Sequence, residues 1–91
     1  MPLSFTWDAR KAATNLRKHG VSFEEAATVF GDPLALAIAD LGDPGRTLML
    51  GTSLRQRVLL VVHTELDDAT LRIISARRAT AHERRRYEEG P

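Results

Sequence analysis

The run Val58-Leu59-Leu60-Val61-Val62 limits what this chain can become more than any other stretch. Five successive aliphatic residues offer no polar side to water, so a strand here must be covered on both faces and lie inside a sheet. "LDDA" (66–69) separates this run from another apolar one, "TLRIISAR" (70–77), and so short a spacing suits an antiparallel hairpin rather than a parallel crossover. Upstream, "LALAIAD" (34–40) and "RTLMLGTS" (46–53) flank the loop "LGDPG" and read as two further strands. The expectation is a small antiparallel β-sheet with "RQRVLLVVHTE" (55–65) as its central strand.

Around that sheet the chain carries helix signals. "SFTW" reads as a short first strand. Asp8 is a natural N-cap for the helix after it, and Gly20 a natural stop. Ala9, Ala12, Ala13 and Leu16 form a narrow apolar stripe at helical spacing, with Arg10, Lys11, Thr14, Arg17 and Lys18 on the remaining surface. A second helix follows at once. Ser22 and Glu25 make a capping box, Phe23, Ala26, Ala27 and Phe30 fall at i, i+3, i+4 and i+7, and "GDP" (31–33) ends it. The last helix starts at Thr80, with Glu83 as its capping partner, and holds one large apolar residue, Tyr87. Such a helix adds little core, so it is peripheral or used in binding. The class that results is α+β: two N-terminal helices packed on a small antiparallel sheet, and a basic C-terminal helix. No repeat, linker or low-complexity tract divides it, so residues 1–91 are expected to form one domain.

Charge is nearly balanced in total, at +1, but segregated along the chain. Residues 24–44 hold five acids and no base, residues 45–63 three arginines and no acid, and residues 64–71 three acids and no base. Residues 72–86 then gather six of the eleven arginines against Glu83 alone. If the fold brings the basic blocks together, they form a patch suited to a polyanion; if not, each block is a solvated face. The absence of cysteine removes disulfides, thiolate zinc sites and a thiol nucleophile, and fits a cytoplasmic location, as does the absence of a signal-peptide-length apolar run at the N-terminus.

No ready-made catalytic motif is present. His19, His63 and His82 lack metal-ligand spacing, and Asp67 and Asp68 sit in a turn, where such residues serve turn geometry. No nucleophile-elbow glycines surround Ser75, and no glycine-rich phosphate loop follows a strand. Neither metal nor cofactor is expected. What remains is arginine, histidine and hydroxyl chemistry on a sheet. Strict alternation along the last strand puts Leu71, Ile73, Ser75 and Arg77 on one face and Arg72, Ile74, Ala76 and Arg78 on the other. Arg77 must then reach the sheet's rim or pair with an acid, because an unpaired buried guanidinium is very costly. Its donor fork suits a phosphate that gains charge in a transition state; a salt bridge is the other reading.

The opening "FTWDARKAATNLRKHGVSFEEAATVFGDPLAL" and the ending "RIISARRATAHERRRYEE" resemble BrnT-type toxins. The resemblance runs through Trp7, Asp8, Lys11, Asn15, Lys18, His19, Gly20, Val21 and Phe23, and again from Ile74 to Tyr87. It implies a RelE-like fold and a ribonuclease toxin of a type II toxin–antitoxin pair. It further implies neutralisation by a small DNA-binding antitoxin, BrnA-like, with operator DNA reached only through the complex. On that basis RNA's own 2′-hydroxyl is the nucleophile, and the enzyme aligns it, moves protons and stabilises the phosphorane with cations. Arg77 is the phosphate cation. His19, beside Lys18, is the general acid–base candidate, since histidine titrates near neutrality, or else it interacts with the helix C-terminus. His63 shares a face with Leu59 and Val61 and reads as a semi-buried structural histidine or a base. Lys11, Lys18, Arg78 and Arg84 are candidates for the RNA backbone, or surface charge, with Lys18 placed beside His19 in the catalytic group; Trp7 stacks on a base or belongs to the core. The competing class is a non-catalytic nucleic-acid-binding module acting with a partner, for which phosphate contacts suffice.

Overall fold

The computed structural model describes residues 3–90; the expected domain of residues 1–91 extends past them at both ends. Five strands and three helices follow the order β1 (Ser4–Thr6), α1 (Ala9–His19), α2 (Phe23–Thr28), β2 (Leu36–Ala39), β3 (Thr47–Thr52), β4 (Val58–Asp67), β5 (Thr70–Arg78) and α3 (Ala81–Glu89). A single 3₁₀ turn, Val29–Gly31, closes α2. The strands form one sheet in the order β1-β5-β4-β3-β2. As the unbroken apolar run demands, β4 is central, and Leu59, Leu60 and Val61 are all buried. β2 to β5 pair antiparallel, but β1 pairs parallel with β5, Ser4 opposite Thr70. The sheet is therefore mixed rather than antiparallel throughout. The two helices after β1 carry the chain over one face to the opposite edge, where β2 runs against β1. The successive hairpins from β2 to β5 then bring β5 back alongside β1 in the same direction.

The core lies between that face and the first two helices. Val21, Phe23, Ala26 and Val29 pack against Leu59, Val61, Ile73 and Ala76. Close packing is most demanding at Gly51, where a Cβ would lie 2.9 Å from both Ala35 Cβ and Val29 Cγ1. Gly20, at φ +69°, takes the left-handed conformation that ends α1, as expected of a glycine C-cap.

Three further expectations change. Of the stripe Ala9, Ala12, Ala13 and Leu16, only Ala12 packs against the core. Leu16 is half exposed, while Asn15 is buried because its amide completes the edge of β5. The Ser22–Glu25 box is half made: Ser22 Oγ accepts from Glu25 N, but the Glu25 carboxylate turns inward to Ser53 and Arg57. And β5 does not alternate strictly. A register shift between Val62 and His63 leaves Ile74 unpaired, with Ile73 opposite His63 and Ser75 opposite Val62. This bulge puts Leu71, Ile73 and Ala76 on the helix-covered face, and Ser75 and Arg77 on the other with Leu60.

Candidate functional site

β1 covers only the Thr70–Arg72 part of β5. Beyond it α1 runs along the exposed edge, joined to it by Asn15. The Asn15 amide donates to Ala76 O at 2.8 Å and to Val21 O at 2.9 Å, and its oxygen accepts from Ala76 N at 3.1 Å. One side chain thus acts as a short piece of strand. A hollow of about 320 Å³ opens between helix and strand edge, beside the bulged residue Ile74. Lys11, Thr14 and Lys18 line it from successive turns of α1, with Arg10 and His19 at the ends of the same row and Ser75 on the strand side. Among the described residues none of Arg10, Lys11 and Lys18 forms an ion pair with a carboxylate. The hollow is electropositive, and it runs along α1 to the end where Arg17, Lys18 and His19 complement the helix dipole.

The fold therefore brings Lys11, Lys18 and His19 together. Arg77 lies outside the lining, two residues along β5 from Ser75 and on the same side of the strand. It occurs in the ion pair that was one of its two readings. Nη1 donates to Glu83 Oε1 at 2.8 Å and Nη2 to Glu83 Oε2 at 2.9 Å. The Arg77 guanidinium holds the Glu83 carboxyl down at about 2, well below its ordinary range. Arg78 ends β5 exposed, and Arg84 is exposed on α3. Trp7 follows β1 and packs edge-on against Phe23 with ring centroids 5.9 Å apart, so it serves the core from a half-buried position. His63 is buried against Phe30, and desolvation pushes its imidazole below the usual value.

Sequence reasoning did not pick out Arg10, Thr14 or Asn15 as site residues. The i, i+3, i+4, i+7 series from Lys11 through Thr14 and Asn15 to Lys18 was the available signal. Glu83 was visible only as a cap, since its contact with Arg77 depends on where α3 lies.

A hollow lined by two lysines at a β-edge, with an arginine beside it, defines an α+β protein with a basic surface cavity. The family model described as "Ribonuclease toxin, BrnT, of type II toxin-antitoxin system" matches residues 7–83, and the chain belongs to that family. The matched segment takes in the hollow and the Arg77–Glu83 pair. No curated protein matches the chain. Among solved structures, the 1.1 Å crystal structure of the Brucella abortus ribonuclease toxin BrnT shares the fold with a TM-score of 0.71 and 22% identity. That likeness covers 86% of this chain and 97% of the Brucella one. A toxin of this type has an antitoxin partner.

Proposed function

We propose that the chain is a metal-independent endoribonuclease of RelE-like fold whose site is the hollow between α1 and β5, together with Arg77. The observation that carries this reading is the convergence of Lys11, Lys18 and His19 on one concavity beside Arg77. In the reaction the 2′-hydroxyl attacks the adjacent phosphorus and loses its proton to a base. The bond to the 5′-oxygen breaks, that oxygen takes up a proton, and a 2′,3′-cyclic phosphate remains. His19 exchanges protons, Lys18 and Arg77 stabilise the phosphorane, and Lys11, Arg78 and Arg84 hold flanking phosphates. Trp7 offers its exposed part to a neighbouring base. In this reading the cations of the chain supply the charge that stabilises the phosphorane. The partner is a BrnA-like, DNA-binding antitoxin, and the substrate is RNA, free or on the ribosome.

The purified protein, freed of partner, is expected to degrade single-stranded RNA in EDTA, with cyclic phosphate ends, and His19→Ala to lose about 10²–10⁴-fold in rate. RNA that stays intact while bound tightly at low salt would instead establish a binding module without turnover.

A further inference from the structure

The Arg77–Glu83 pair at first sight removes Arg77 from catalysis, since a guanidinium spent on a carboxylate has no charge to offer a phosphate. Its geometry says otherwise. Arginine has five N–H donors arranged along two bidentate edges, one across Nη1 and Nη2 and one across Nε and Nη2. Glu83 occupies the first edge, Oε1 on Nη1 and Oε2 on Nη2. The other Nη1–H donates to the carbonyl of Arg78 at 3.2 Å. Among the described residues the Nε–H, and the Nη2–H parallel to it, have no partner, and the side chain keeps 39% of its surface in solvent. Glu83 is itself fixed, because its Oε1 accepts from Thr80 N at 2.9 Å while Thr80 Oγ1 accepts from Glu83 N. The guanidinium is thus clamped at one end by a carboxylate locked into a helix cap.

Building on the ribonuclease reading, we propose that Glu83 is a positioning residue that clamps Arg77 by its Nη1/Nη2 end, so that the Nε/Nη2 edge forms a two-pronged socket for the reacting phosphate of RNA. The carboxylate stays in place when RNA binds. Two bidentate acceptors, one on each edge, take four of the five donors, and the Arg78 carbonyl takes the fifth.

Glu83→Gln separates this role from capping, since glutamine at the third helical position still reaches back to the N-cap. It cannot accept from both Nη1 and Nη2, because its amide nitrogen is a donor. The expected result is a folded protein whose turnover at saturating RNA falls about 10–100-fold, with KM little changed. Arg77→Lys, which keeps the charge and loses the fork, is expected to fall as far. Wild-type turnover in Glu83→Gln would overturn the proposal and leave Glu83 a cap. Faster turnover would overturn it too, by showing that the carboxylate competes with RNA. A second measurement stands if the variant does not fold. In ¹⁵N-labelled wild type the Arg77 Nε–H resonance is expected to move on titration with 2′-O-methyl RNA, which cannot be cleaved. A resonance that stays in place once that RNA is bound removes the socket. Intact RNA in the wild-type assay would sink the ribonuclease reading alone, because this titration does not depend on turnover.

Discussion

Asn15 carries more of the structure than any apolar residue of α1. Its three hydrogen bonds satisfy both backbone groups of Ala76 at an otherwise open strand edge, and the carbonyl of Val21. Replacing it by Leu would leave those groups buried and unpaired, so we expect a loss of about 2–4 kcal/mol in urea unfolding. The sequence pattern hid this, because hydropathy assigns the core face of a helix to apolar positions and reads an asparagine as surface. Glu25 is a second such residue. It is buried, accepts from Ser53 Oγ at 2.7 Å, and takes both Nε and Nη2 of Arg57, which holds its carboxyl below the usual range. Glu25→Ala would strand Arg57 and is expected to destabilise by about 3–5 kcal/mol in the same assay, far beyond the loss of a helix cap.

At the scale of elements, α3 is the least anchored. It buries no residue, and three attachments hold it: its capping box, the Arg77–Glu83 pair and Tyr87. The Tyr87 hydroxyl donates to Asp32 and accepts from Thr52 Oγ1 at 3.0 Å. Tyr87→Phe is therefore expected to speed amide exchange across residues 81–89 while β4 and β5 stay protected, with a global loss of about 1 kcal/mol. The start of α3 at Thr80, its cap and its lack of core residues were all legible, because they are local. The bulge at Ile74 was not, because a bulge answers to the partner strand. Only when β5 is laid against β4 does Ile74 lose its opposite number and Arg77 change face.

Across the whole molecule the charge blocks partly cancel. Arg55 and Arg57 meet Glu25, Arg46 meets Asp43, and Arg77 meets Glu83, which among the described residues leaves the cations of α1, Arg72 and Arg78 of β5, and Arg84, Arg85 and Arg86 of α3 without a carboxylate partner. These pairs set the response to acid. Glu25 and Glu83 have carboxyls lowered from 4.5, so their stabilisation is full above that pH and is lost as the pH falls below it, for Glu83 down to about 2. His63, buried and lowered from 6.5, favours the native state while neutral, so its contribution starts to fall below 6.5. The melting temperature is expected to decline in two stages on acidification, and His63→Gln to flatten the first; a single stage in the wild type would show that His63 does not titrate on unfolding. The sequence by itself determined the helix caps, the central strand, the α+β class and the lysine–histidine end of α1, since each depends on neighbours a few residues apart. Only the tertiary structure decided the parallel β1, the bulge, the amide that closes the edge of β5 and the carboxylate that meets each arginine. Those depend on groups as far apart in the chain as Ser4 and Thr70, and no local pattern encodes which of several equivalent acids an arginine will reach.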